Sequence, residues 1–267
     1  MQHPISTEFK QLKVGDIVAE DYRRAAVFQR FGIDFCCGGR QTVESACEAA
    51  GVSYEEVERA LLTAERRPGE EEGADDPRAW PLDTLIRHIV DVHHAYVRDA
   101  LPMLQLFSHK VARVHGAHRP ELMEVRGRVD ALAEDLKQHV DTEEQVVFPS
   151  IRDLAADVQR AEAKGSFPPG QGSKAGSSSA IHPELRQAME EDHDHAGSLM
   201  RELRDLTDGY APPEKACTTY RALYAKLAEF EEDLHRHVHL ENNVLFPRAE
   251  EMVATESAGS TVRFAGP

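Results

Sequence analysis

No stretch of this chain approaches the roughly 20 consecutive apolar residues that a helical membrane span needs, so none is expected. No window alternates apolar and polar residues with a sustained period of two, so no strand is expected either. Cysteine is scarce, 4 in 267 residues, and two of the four are adjacent. That layout offers no disulfide framework and makes a reducing cytoplasm the simplest expected home. The opening MQHPISTEFKQLKVGD lacks the charged-then-apolar layout of a signal peptide. Positive charge is also in deficit: 31 Lys and Arg face 47 Asp and Glu, a formal net charge of −16. Such a field repels nucleic acid and anionic membrane, and neither is expected as a partner.

What is present reads as a soluble, globular, helical chain, with 41% hydrophobic and 29% charged residues. Its length exceeds what one small core requires, which suggests a main domain of roughly 150–190 residues and a smaller one. Residues 1–66 form the smaller domain. There Asp16 is expected to cap a helix running to about Phe31. Ser53 with Glu56 makes a capping box for a helix to about Arg66. Residues 67–80 are acidic with Pro and Gly and read as a linker. Residues 164–181, rich in Gly, Ser and Pro, read as a mobile loop. The remainder of 81–255 predicts four long helices, over about 82–112, 120–162, 182–208 and 213–254. The expected fold is all-α, an antiparallel four-helix bundle that buries four apolar seams. Pro149 and Pro247, late in the second and fourth helices, should bend them, as should Pro102 in the first.

The bundle carries an internal repeat. HVDTEEQVVFP at 139–149 returns as HVHLENNVLFP at 237–247. His139/His237, Val140/Val238, Glu143/Glu241, Val146/Val244, Phe148/Phe246 and Pro149/Pro247 agree. Residues three and four apart share a helix face. The second seam reads Val125, Val129, Leu132, Leu136, His139, Glu143, Val146, and the fourth reads Leu223, Leu227, Phe230, Leu234, His237, Glu241, Val244. The third reads Leu185, Met189, His193, Ala196, Met200, Leu203. Two His–Glu pairs and one further His thus point into one apolar core from three helices.

Ionised carboxylates in such a core are costly unless paired or metal-bound, and two of them repel. Cations resolve this: imidazole and bridging carboxylate suit iron, and also manganese or zinc. Two carboxylates from facing helices can bridge two metals, each half of the repeat supplying one side. The alternative is that these histidines are hydrogen-bonded core residues; the matched repeat weighs against it, since an ordinary seam would carry Leu there. In the first helix the seam Leu82, Ile86, Ile89, Tyr96, Leu104 favours His93 by angle, with His94 nearer the edge. His88, His235 and His239 fall off the seams as surface or outer-sphere residues, and His195 reads as surface.

The bundle resembles hemerythrin-like proteins. Together with the N-terminal unit it closely resembles the Repair of Iron Centres family of di-iron, iron–sulfur cluster repair proteins. The resemblance rests on DFCCGGRQT (34–42), HIVDVHH (88–94) followed by LP (101–102), the two repeats, EEDHDHAG (190–197) and PPEKACTTY (212–220). It implies two iron ions per chain, oxo- or hydroxo-bridged, held by His94, His139, Glu143, His193, His237 and Glu241, with the glutamates bridging. Here the alignment selects His94 where the helical wheel selects His93, which stays as the alternative.

Adjacent Cys36 and Cys37 are followed by two glycines that permit a tight turn. A disulfide across one peptide bond is rarely comfortable. From the residues alone they fit small buried hydrophobes as well as functional thiols. The resemblance selects functional thiols, for redox, iron or nitrosyl transfer, and so places Cys36 and Cys37 beside Glu143 and Glu241 in the chemistry. Cys47 and Cys217 read as structural. The implied activity is repair of clusters damaged by nitrosative or oxidative stress, by nitric oxide reduction to nitrous oxide, by iron delivery, or both. Implied partners are damaged iron–sulfur proteins and nitric oxide or dioxygen as small ligand; a homodimer stays open. Two other classes compete: reversible dioxygen binding or sensing, as in hemerythrins, and a structural zinc bundle.

Overall fold

The structure is a computed structural model that describes residues 9–64, 76–163 and 183–259. The expected loop 164–181 and most of the expected linker lie outside them. The fold is all-α. The only strand-like pairing among the described residues is an isolated bridge between Lys13 and Thr42. No helix among them is long and apolar enough to cross a membrane. The chain divides into two compact units, one within Met1–Pro81 and Arg236–Pro247, the other within Leu82–His235 and Arg248–Pro267.

In the first unit, α1 (Val14–Glu20), α2 (Ala25–Arg30), α3 (Val43–Ala50) and α4 (Tyr54–Thr63) are short and closely linked. Their boundaries follow from caps. Thr42 accepts the Ser45 N–H at the start of α3, and Gly51, at φ 67°, closes its end. Ser53 accepts the Glu56 N–H at the start of α4, as expected. Asp16 is not a cap: it lies in the first turn of α1, whose N-cap, Lys13, makes no side-chain bond. The helix also stops at Glu20, because Asp21 turns its carboxylate onto the Arg23 N–H and starts a separate 3-10 turn, Tyr22–Arg24. Val14, Ile17, Val18, Phe28, Val43, Val57 and Leu61 form the buried core. Each contributes about 1.5–3 kcal/mol on burial.

Four long helices build the second unit. The first joins α5 (Leu82–His88), a π turn (Ile89–His94) and α6 (Ala95–His115). The second joins α7 (Glu121–Thr142), a π turn (Glu143–Val147) and α8 (Phe148–Ala163). The third is α9 (Pro183–Leu206). The fourth joins α10 (Thr218–Leu240), a π turn (Glu241–Leu245) and α11 (Phe246–Gly259), and its stretch Arg236–Pro247 belongs to the first unit.

Side-chain pairs fix the order and directions of the bundle. Arg98 meets Glu144 and His109 meets Asp130, so the first two helices run antiparallel. His139 meets Asp192 and Arg128 meets Glu202, which sets the third antiparallel to the second. His93 meets Asp233 and His115 meets Cys217, which sets the fourth antiparallel to the first. Arg204 and Glu231 close the ring between third and fourth. Leu85, Ile86, Leu104, Val129, Leu132, Leu203, Leu223, Leu227 and Phe230 fill the middle, each at 0% exposure.

The prolines explain part of the local geometry. Pro149 and Pro247 each follow a π turn by two residues. Neither can donate to the carbonyl four residues back, at Gln145 and Asn243, so the missing bond falls within the widened turn. Pro102, in contrast, lies inside α6, which continues through it as one helix.

Candidate metal centre

The second unit gathers three of the expected histidines around one expected carboxylate. Glu143 opens its π turn and is fully buried; His94, His139 and His193 are 0–3% exposed. Glu143 divides its oxygens. Oε2 lies 3.3 Å from His94 Nε2, while Oε1 lies 3.3 Å from His139 Nε2 and 4.0 Å from His193 Nε2. His139 and His193 bring their Nε2 atoms within 2.9 Å of each other. Metal–nitrogen bonds of about 2.1 Å at a right angle set two nitrogens about 3.0 Å apart, so the pair suits neighbouring positions on one ion.

Outer carboxylates decide which nitrogens face inward. His94 Nδ1 meets Glu144 at 2.8 Å, and His139 Nδ1 meets Asp192 at 3.3 Å. Burial works against ionising Glu144, but bonds from Arg98 and His94 hold it below the ordinary carboxylate value. Asp192 is held low first by its bond from His139. An ionised carboxylate only accepts, so each Nδ1 is the donor to its outer carboxylate and each Nε2 is turned toward Glu143. Phe148 stacks on the His94 ring at 5.6 Å. Beside it opens a cleft of about 270 Å³ lined by Arg87, Val90, Asp91, Glu144, Phe148 and Arg152.

In the first unit, His237 and Glu241 repeat the pattern, with Nε2 and Oε1 3.0 Å apart and both residues at 0% exposure. Imidazole nitrogen and carboxylate oxygen, buried and without thiolate, form a donor set of borderline hardness that suits iron, manganese or zinc. The residues therefore fit the expected iron.

His93 is also buried, at 1%, but its Nδ1 is tied to Asp233 at 2.9 Å and its ring meets His88 edge-on. The π turn explains why both neighbours point inward: its extra residue advances the helix face by one position. His195 is a surface residue at Asp135, as expected. His239 is 2% exposed, and burial lowers its pKa to about 4.

Cys36 and Cys37 are free thiols with sulfurs 3.8 Å apart, Cys36 buried and Cys37 half-buried. Asp34 Oδ1 accepts the N–H groups of both and the Cys36 thiol. From the same unit, the amide of Asn243 donates to the carbonyls of Phe35 and Cys36 and to His239 Nδ1, and Asn242 donates to Cys36 O.

Residues 85–165 and 178–249 match the hemerythrin HHE cation binding domain, and residues 10–65 match ScdA_N, a domain of unknown function (DUF542). The iron-sulfur cluster repair protein YtfE of Musicola paradisiaca (strain Ech703) is 34% identical over 241 residues, covering 90% of this chain and 97% of the relative. Its counterpart in Yersinia pestis (strain Pestoides F) is 34% identical over 242 residues, covering 91% and 98%. This chain belongs to the iron–sulfur cluster repair family. In this repair-family chain, the sequence reading overlooked Glu144, Asp192, Asp34, Asn242 and Asn243. A signal existed for the first two, since each directly adjoins a proposed ligand, Glu143 or His193. Asp34 bonds to its near neighbours Cys36 and Cys37, whereas the roles of the asparagines depend on tertiary contacts between stretches about 200 residues apart.

Proposed function

We propose that this chain is an iron protein of the reducing cytoplasm that restores iron–sulfur clusters damaged by nitrosative or oxidative stress. Its bundle, residues 81–255, holds two iron ions through His94, His139, Glu143, His193, His237 and Glu241, and its first 66 residues carry the thiols. The observation that carries this reading is the divided carboxylate of Glu143, which offers one oxygen on the side of His94 and the other on the side of His139 and His193. A carboxylate so placed serves two cations rather than one. The same reading is supported by His237 and Glu241, which repeat the buried His–Glu pair at the matching positions of the second motif.

When bound, the iron pair supplies electrons and open positions for nitric oxide, or iron for rebuilding a cluster. The chain's own residues supply the rest. Glu144 and Asp192 hold Nδ1 of each imidazole as the donor and so keep Nε2 turned toward Glu143. The buried rings of Phe148 and Phe230 exclude water and lower the local dielectric. The cleft at Glu144 and Phe148 gives a small diatomic ligand a short approach to His94.

The test uses a nitric-oxide-inactivated iron–sulfur enzyme, incubated anaerobically with the iron-loaded protein and a reductant. Recovery of enzyme activity is expected with the intact chain and not with Glu143→Ala. Nitrous oxide in the headspace selects nitric oxide reduction; loss of iron from the chain in step with recovery selects delivery. No recovery, together with a long-lived dioxygen adduct on the reduced protein, would replace repair with dioxygen binding.

A further inference from the structure

We propose that Asp34, Cys36 and Cys37 form a second, mononuclear metal site that takes one thiophilic divalent cation of the Fe2+ or Zn2+ class. The inference goes beyond the repair reading, since it concerns a different set of donors and holds whether or not the bundle repairs clusters.

Three donor atoms, one from each residue, lie close enough together for a single ion. Their spacing is that of coordination. A tetrahedral ion with metal–sulfur bonds of about 2.3 Å sets its two sulfurs about 3.8 Å apart, and a sulfur and an oxygen at about 2.0 Å roughly 3.5 Å apart. The thiols stand 3.8 Å apart, and Cys36 Sγ lies 3.3 Å from Asp34 Oδ1. Two edges of a tetrahedron are thus in place before any ion arrives, and the third lies within 4.8 Å.

The loop is held in that shape from both sides. Asp34 fixes it from within through the N–H groups of Cys36 and Cys37. Asn242 and Asn243 fix it from behind through the carbonyls of Phe35 and Cys36. Gly39 and Gly15 form the slot for Asn243: a Cβ on either would meet Asn243 Oδ1 at 2.4 or 2.3 Å. Gly39, the second glycine after the cysteines, therefore serves the joint behind the thiols, while Gly38 packs against the Asp34 carbonyl. Ligands locked by outer hydrogen bonds mark a built site.

Binding is a proton–metal exchange without electron transfer. Each thiol loses its proton to solvent and forms one metal–sulfur bond. The ion replaces the proton that Cys36 shares with Asp34, and the carboxylate adds one metal–oxygen bond. Three anionic donors on a divalent ion leave a fourth position for water or an incoming ligand.

The test is a Co2+ titration of the full chain, with the bundle loaded with iron, the thiols reduced and Cys217 replaced by Ala so that its pair with His115 does not compete. Thiolate-to-cobalt charge transfer is expected to saturate at one equivalent per chain. Cys36→Ser and Cys37→Ser should each abolish or halve the band. Asp34→Asn keeps an oxygen for the two N–H bonds and so preserves the loop; it should weaken cobalt binding about 10- to 100-fold. An absent band in the parent chain, saturation at one ion per two chains, or unchanged affinity in Asp34→Asn with its iron content intact would each overturn the proposal.

Discussion

Replacing Gly15 or Gly39 with Ala should destabilise the first unit, and removing Asn243 should rescue one replacement but not the other. At Gly15 the added Cβ meets Asn243 Oδ1 at 2.3 Å and Asn243 Cγ at 2.6 Å; the next obstacle, Gly39 O, lies at 3.1 Å. The clash is with a side chain, and deleting that side chain removes most of it. At Gly39 the Cβ meets Asn243 Oδ1 at 2.4 Å but also the backbone carbonyl of Phe35 at 2.7 Å. A backbone atom cannot swing aside, so that clash survives. Overpacking of this kind costs about 1–3 kcal/mol. Asn243→Ala alone costs about 1–2 kcal/mol, because it strips donors from the Phe35 and Cys36 carbonyls, the second of which keeps Asn242. In Gly15→Ala/Asn243→Ala the two penalties should fall short of additive by about 1–2 kcal/mol. In Gly39→Ala/Asn243→Ala the shortfall should be less than half of that. Urea unfolding of the full chain under reductant, followed by the fluorescence of Trp80, its single tryptophan, reads all five variants. Equal coupling in both double variants would refute the reasoning.

His94→Ala should lose most of the bound iron, while His93→Ala, whose Nδ1 is engaged with Asp233, should keep most of it; iron analysis of both variants decides, and the reverse order would restore the helical-wheel assignment. Arg204→Ala should destabilise the bundle by about 2 kcal/mol, more than Glu231→Leu, because the first leaves a carboxylate at 3% exposure without its partner and the second leaves a guanidinium at 42% that water can reach; thermal unfolding of the two variants sets the order, and an equal loss would show that the arginine's packing on Tyr210 dominates. Cys36→Ser/Cys37→Ser should keep the bundle's iron, since no bundle ligand changes, yet slow reactivation of the nitric-oxide-damaged enzyme; unchanged reactivation would make the pair structural.

Much of the bundle was legible because its seams repeat at three and four. Val125, Val129, Leu132, Leu136 and His139 are buried as the spacing predicts, and so are Met189, His193, Ala196, Met200 and Leu203. The reading slipped where the helix changes pitch. Val146 was placed on the second seam, but the π turn over Glu143–Val147 shifts the face by one residue; Val146 is 47% exposed and Val147 is buried. The same effect in Ile89–His94 made the wheel choose between His93 and His94 when both face inward. An extra residue in a turn leaves no trace in periodicity counted at a fixed 3.6. Caps were legible where a side chain has one local option, as at Ser53. They were not where two acids compete: Asp16 looked suitable, but the cap bond is made by Asp21. The joint behind the cysteines was beyond sequence reading, since nothing local in ENNV or DFCC marks which amide will meet a carbonyl some 200 residues earlier.

The central claim is that Glu143 and Glu241 together hold two irons. Iron per chain, measured on protein purified from iron-replete cells under anaerobic conditions with Cys36 and Cys37 replaced by Ser so that only the bundle counts, tests it most directly when this parent is compared with the same chain carrying Glu143→Ala or Glu241→Ala. The account predicts about two irons in the parent, since the repeated motif supplies two His–Glu pairs, the donor content of a dinuclear centre, and loss of most of the iron in both variants. One iron per chain in the parent, or full iron in either variant, would contradict it.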